Sequence, residues 1–497
     1  MKIKNIILVL CTSLTFCSCS DWLDVSPNNQ VDGENLFNSG NGYRIALNGI
    51  YKQMSSQNLW GEELTWGMAD VLGQQYTKSN LGSTDSKYWQ ACQYKYTDKT
   101  LEPVIQSIWS TAYNTIANCN ELIKNIEGAD PSIFQGKTLE QGLIRGEALA
   151  LRAMLHFEVL RLFAPSVAAD DGKKYVPYYA TFPSVSEPYL TVKEVLAKIE
   201  KDLEEARGLV QTYDNQKGYK LLMTKSYRFE GGDLVTDMFY ASRGFRMSYI
   251  AITALQARVF SYAGESKKAY DAASEVINYT DDNGEKMFTF TANASFNTNP
   301  KMKDDLIFAL SNSKEVELFK AWDNMDEDAG MVSIDYDDYT EILDENANDR
   351  RWNESGGMVE IHSDYDWYCV ISKKYMDDAS YTDLDKRIIP VIRLSEMHYI
   401  RGEYLAETDP ASGALELETV ATNRGCTAGI FSYVSTLEEY QEAVLKDARK
   451  EFLGEGQLYY FYKKYNILPN SKANFIFPLP DNEMVYYCLL YTSPSPR

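Results

Sequence analysis

The sequence predicts a mainly α-helical protein whose helices pack as antiparallel hairpins, interrupted by long irregular insertions and containing little β structure. Three observations lead there. Apolar residues recur at the 3.6-residue period of an amphipathic helix in one segment after another. Short links join neighbouring segments, so their apolar faces must bury against each other. Two long stretches between them, rich in Gly, Ser, Thr, Asp and Asn, lack the helical period.

Taken in order, residues 1–18 read as a secretory leader, with Lys2 and Lys4 ahead of an apolar run too short to span a bilayer. Ser18, a small residue, precedes Cys19, and the stretch FCSC reads as a bacterial lipoprotein box in which Cys19 becomes the acylated N-terminus. Each acyl methylene buried in a membrane adds roughly 0.8 kcal/mol, so several chains would hold a soluble domain there. A first helix is expected near Arg44–Met54. In the next, Ile108, Ala112, Ile116, Cys119 and Ile123 share a face, and in the one after it Leu149, Ala153, Phe157, Leu160 and Phe163 form a stripe that Pro165 stops. Thr191 with Glu194 three residues later is a capping box opening a fourth helix. The segment 248–277 is the clearest hairpin: Ala257 and Phe260 precede a turn at Gly264, and Ala269, Ala273 and Val276 follow it, an arrangement that resembles a tetratricopeptide repeat. Ser395–Ala406 and Leu437–Phe452 are expected to form a later pair.

Composition narrows function. With 497 residues, 44% hydrophobic, the chain can bury a large core, and one continuous body is expected rather than the two or three domains that length alone suggests. A net charge of −22 argues against nucleic acid and anionic lipid surfaces. Of eight cysteines, those beyond the leader have no metal-ligand spacing, and Cys119 sits on an apolar stripe. Among only three histidines, His156 falls in a helix-core pattern, so packing is expected there. The acidic run 323–339 lacks the glycine and terminal glutamate of an EF-hand and reads as solvated surface. With 71 acids in the chain some carboxylate pair always exists, so no pair points to hydrolysis, and no phosphate loop or GxSxG elbow is present. The last ten residues, 488–497, change composition abruptly and read as a non-native tail.

The insertions carry the functional signal. The first, 61–97, and the second, from Asp281 to about Arg387, place tryptophans and tyrosines among Asp, Asn and Gln. Sugars pack their C–H faces on flat rings while their hydroxyls bond to such polar side chains.

Several stretches together resemble the SusD/RagB family of surface lipoproteins from Bacteroidetes. They are CSDWLDVSPNNQ running on to ALNGIYKQM, then RGEALALRAMLHFEVLRLFAP, LSEMHYIRGEYLAE, and KEFLGEGQLYYFYKKYN followed by FIFPLPDNEM. Asp21 and Asp24 are similar to the acidic signal that sends such lipoproteins to the outer face. The sequence departs from the family pattern at Gln457, where arginine is usual after the GEG turn, and at Tyr460, near the usual aspartate. The resemblance implies a SusD-like N-terminal region over 19–230, a central hairpin and insertion over 231–320, and a C-terminal region over 321–487. It also implies an outer-membrane protein anchored through Cys19 that binds oligosaccharide, without catalysis, cofactor or metal, and delivers it to a SusC-like TonB-dependent transporter. In the family the corresponding loops line the ligand groove, which points first to Asp70, Trp89 and Trp322, and then to Tyr88, Trp60 and Trp352. An oligopeptide-binding role, a surface glycoside hydrolase and an adaptor that only gates the transporter stay open as alternatives.

Overall fold

The computed structural model describes residues 36–216, 218–322, 330–343, 348–353, 357–364, 367–481 and 483. Cys19 with its leader, residues 323–329 of the acidic run and the 488–497 tail lie outside these residues.

Helix α1, Gly40–Met54, starts at Ser39, whose hydroxyl accepts the Gly42 N–H. It is followed by α2, Glu102–Glu127, and α3, Lys137–Phe163. Then come α4, Val192–Asp214, α5, Tyr249–Tyr262, and α6, Ser266–Asn278. The C-terminal half adds α7, Leu394–Ala406, α8, Pro410–Asn423, α9, Leu437–Glu451, and α10, Gln457–Tyr465. From α2 onward each helix packs on its predecessor, giving the mainly α, tetratricopeptide-like scaffold that the periodicity predicts. The capping box at Thr191 and Glu194 forms as expected, and Ser248 caps α5 by accepting the Ala251 N–H.

Helix α3 is the axis of this array. Every residue from Gly146 to Phe163 is buried, so the expected stripe is in fact a full circumference. The charges inside are matched: Arg152 grips Asp202 with two bonds of 2.7 and 2.8 Å, and Glu147 accepts from Arg243 at 2.8 Å and Arg246 at 2.7 Å. His156 is packed as the pattern suggests, stacked on Tyr178 at 3.8 Å, and burial pulls its pKa down to about 3.

Two departures from expectation concern pairing and strands. The later hairpin is α7 with α8, not Ser395–Ala406 with Leu437–Phe452. Pro410 and Gly413 obscure α8 in the sequence. Yet glycine is what makes the pairing possible: a Cβ at Gly413 would sit 2.7 Å from the Gly402 carbonyl, and one at Gly402 only 2.3 Å from the Tyr440 hydroxyl. The second insertion also holds more order than its composition suggests. Strand β1, Lys174–Pro177, pairs antiparallel with β2, Tyr189–Thr191, outside it. Within it β3, Leu306–Ser311, runs antiparallel to a later strand, and β4, Ile334–Asp335, β5, Val359–Asp364, and β6, Trp367–Ser372, form a sheet in the order β4-β6-β5. The partner of β3 is β7, Ile388–Arg393, which leads directly into α7.

The buried alanine face of α6 gives a direct test of the packing, since Ala269 and Ala273 are 1% and 0% exposed on the helix that meets both α5 and α7. Ala269→Leu overpacks this contact and is expected to lower stability by roughly 1–3 kcal/mol, read as a shift in the urea midpoint. An unchanged midpoint would contradict close packing at this face.

Candidate functional site

The site is built on a turn. Gly454 and Gly456 flank Glu455 with φ of 83° and 71°, a conformation that favours glycine, and a Cβ at Gly456 would lie 2.3 Å from the Leu64 carbonyl. The turn aims two backbone N–H groups at Asp70, whose carboxylate accepts from Gly454 at 2.5 Å and from Gly456 at 2.8 Å. Glu455 points the other way and is bonded by Lys374 at 2.6 Å and by Arg393 on both oxygens. Tyr375 closes the turn by donating to the Gly454 carbonyl at 2.8 Å. All these charged groups are buried. Burial pushes Asp70 up to about 8 even though both N–H groups and Lys374 favour its anion. The turn thus locks the first insertion, carrying Asp70 on the one-turn helix Met68–Leu72, to the start of α10.

From this anchor the two insertions run edge to edge. Thr77 donates its N–H to the Ser333 carbonyl at 3.0 Å and its hydroxyl to Asp338, while Met331 N–H reaches the Asn80 carbonyl at 2.6 Å. Asn80 Nδ2 adds a bond to Ser333 Oγ at 3.0 Å, and Trp66 Nε1 donates to Glu315 at 3.0 Å. The clustering of aromatics in two loops of the sequence is therefore a juxtaposition in space.

At the junction Tyr88 and Trp322 meet with ring centroids 4.4 Å apart. Lys87 lies 4.6 Å from the Tyr88 centroid and 5.5 Å from that of Trp322, and its ammonium bonds to both Glu62 and Glu63 at 2.6 Å. Tyr88 donates to Glu62 at 2.7 Å, and Gln57 takes the other Glu62 oxygen at 2.6 Å. Burial works against the Lys87 ammonium, but the carboxylates of Glu63 and Glu62 outweigh it and hold its pKa above the usual range. Burial raises Glu63 in turn. The arrangement is a rigid, hydrogen-bonded base under a half-buried indole.

The six expected ligand residues thus separate by depth. Trp322 and Trp89 are half-buried and keep surface for a ligand. Trp89 is not stacked on Trp322; the ammonium groups of Lys78 and Lys95 stand 4.5 and 5.1 Å from its ring. The other four lie inside. Asp70 is saturated by the turn, and Tyr88 supports Trp322 from the interior. Trp60 is a core ring, and Trp352 is fully buried against Tyr339 at 5.8 Å. For these four the structure corrects the expectation of direct contact, because a ring or carboxylate with no solvent face cannot receive a sugar. Two rings that sequence reasoning passed over are at the surface instead: Tyr336 and Tyr368 are 42% and 50% exposed with centroids 6.2 Å apart. Strand alternation in WYCVIS, which turns Tyr368 away from buried Cys369, was the signal that could have found one of them. Among the described residues no group of three or more His, Cys, Asp or Glu is placed to hold a metal ion.

Residues 21–227 match a SusD-like family described as starch-binding and associating with the outer membrane. The SusD-like protein P2 of Formosa agariphila is 25% identical over 168 residues, 33% of this chain and 29% of that relative, so the chain matches under a third of the relative's length. A SusD superfamily protein of Bacteroides thetaiotaomicron has the same fold, with a TM-score of 0.64 and 21% identity over 90% of this chain and 98% of that one. A SusD-like carbohydrate binding protein of Bacteroides vulgatus superposes with a TM-score of 0.66 at 16% identity, covering 91% of this chain and 97% of its own.

The turn can be tested directly. Glu455→Gln leaves Lys374 buried without its ion-pair partner and Arg393 with only the more distant Asp305 at 3.7 Å, and is expected to cost about 3–5 kcal/mol, far more than an exposed carboxylate would. Chemical denaturation of the variant reads this, and a loss below about 1 kcal/mol would show that the pairing contributes little.

Proposed function

We propose that this chain, whose residues 21–227 match a SusD-like family, captures oligosaccharide, without cleaving it, on the surface where its two insertions meet. It then delivers the glycan to a SusC-like TonB-dependent transporter, and the lipid on Cys19 holds it at the outer face of the outer membrane. The observation that carries the reading is the half-buried Trp322, fixed against Tyr88 over the Lys87–Glu62–Glu63 base. A preorganised indole offers an apolar face at little entropic cost, as sugar recognition requires. The exposed tyrosines of the second insertion extend the aromatic surface. The family's description as starch-binding and the naming of a structural neighbour for carbohydrate binding support the ligand class. Binding without hydrolysis is favoured because Glu62 already accepts hydrogen bonds at both oxygens, leaving the acid pair committed to the scaffold. Among the described residues no helix is long and apolar enough to cross a membrane.

Isothermal titration against a panel of neutral polysaccharides tests the site. Trp322→Ala and Trp89→Ala are each expected to weaken binding by on the order of ten- to a hundredfold, the worth of roughly 1–3 kcal/mol of buried ring. Because Trp322 also packs on Tyr88, its variant should melt somewhat earlier, so affinities are compared well below the transition. Equal affinity in wild type and both variants would refute the site, and product release from a bound glycan would replace the binding role with an enzyme.

Attachment is a separate matter. Cys19→Ala should abolish incorporation of labelled palmitate and release the protein from the membrane fraction; label still entering the variant would rule out Cys19 as the anchor.

A further inference from the structure

Buried arginines in this protein follow a rule. Arg152, Arg243, Arg258, Arg351, Arg393 and Arg424 each bind a buried carboxylate, and Arg228, which has none in contact, is taken up by backbone carbonyls. Arg449 breaks it. Among the described residues its side chain makes neither a hydrogen bond nor an ion pair, and its Nε is buried without a partner. Burial lowers its pKa, opposed only at longer range by Tyr462, Asp338 and Glu341. A half-buried guanidinium with no carboxylate partner is placed to receive an anion that enters from solvent.

Arg449 borders a cavity of about 410 Å³ between α9 and the second insertion. Lys446 and Lys450, one turn apart on α9, also line this space. Lys450 is 3.6 Å from Asp349, while the ammonium of Lys446 stands 6.0 Å from the Tyr433 ring. Phe431 and the half-exposed Tyr433 supply aromatic lining. The acids in the wall are Asp447, which is engaged by Arg351 and Tyr399, and Glu341. In a chain of net charge −22, three cations converging on one cavity stand against the general field.

We propose that this cavity binds the oxyanion group of an acidic glycan, a uronate carboxylate or a sulfate ester. Arg449 supplies the planar pair of donors that suits such a group, Lys446 and Lys450 add point charge, and Tyr433 with Phe431 receives the face of the sugar ring. The inference rests on the glycan-binding reading and narrows its ligand class. It also ties the site to the fold, because Gln75 of the first insertion donates to the Arg449 carbonyl at 3.2 Å.

The test uses the purified mature protein and four probes in isothermal titration: an oligogalacturonate, a sulfated galactan oligosaccharide, a neutral galactan oligosaccharide and a polyglutamate peptide. At least one acidic glycan is expected to bind about tenfold or more tightly than the neutral one, and Arg449→Met should bring it to the neutral level. The preference between uronate and sulfate probes identifies the anion. Without any probe, Arg449→Met should melt at about the wild-type temperature, since it removes no side-chain hydrogen bond or ion pair. Lys446→Gln, at an exposed position, should weaken acidic probes by a smaller factor and reduce the salt dependence of their binding. Unchanged acidic-glycan affinity in Arg449→Met, a markedly lower melting temperature of that variant, or tighter binding of polyglutamate than of either acidic glycan would each overturn the proposal. Neutral glycan binding through Trp322 with acidic probes indifferent to Arg449 would overturn this inference alone, whereas no binding of any glycan would overturn both readings.

Discussion

The turn Gly454–Glu455–Gly456 is the constraint on which the remaining architecture depends. Its two left-handed glycines present N–H groups to Asp70 on one side and deliver Glu455 to Lys374 and Arg393 on the other. Three separate stretches of chain are joined there: the first insertion, the segment after β6, and the end of β7. A neighbouring set continues the pattern, with Glu451 bonded by Arg424 and Arg351, and Arg424 reaching Asp305 at the head of β3. Because each charge is buried, none can lose its partner without a large desolvation penalty, so the elements are tied in one register.

This interior network explains how irregular insertions can hold a defined surface. Loops usually gain order from packing at their ends. Here the first insertion is fixed at Asp70 and again where Thr77 and Asn80 meet Met331 and Ser333, just ahead of β4. The second insertion gains its own sheet, β4-β6-β5, and gives up Trp352 and Tyr339 to its core. The rings that keep surface outside include Trp322, Trp89, Tyr336 and Tyr368, on a base that has little freedom to collapse.

Departures from the family pattern at the C-terminal signature find their explanation in packing. Tyr460 lies 3.6 Å beneath the Arg161 guanidinium, and Gln457 bonds to the Glu455 carbonyl at 3.2 Å, so both positions serve the scaffold behind the turn. They modify how α10 seats on α3 without reaching the surface of the insertions.

The sequence alone determined the helices whose apolar period is unbroken, the capping box at Thr191, the core role of His156 and Cys119, and the family resemblance. Each of these depends on local spacing or on short motifs, which a linear reading preserves. It also located the insertions, though not which of their side chains face outward. Asp70, Trp60, Tyr88 and Trp352 look like ligand residues in a string of letters, since a polar loop gives no sign that it will be folded inward. The pairing of α7 with α8 through Gly402 and Gly413, the partners of Asp70 and Glu455 hundreds of residues apart in sequence, and the unpaired state of Arg449 were decided only by tertiary structure. Burial and ion pairing are properties of what surrounds a residue in space, and in this chain those surroundings come from distant segments.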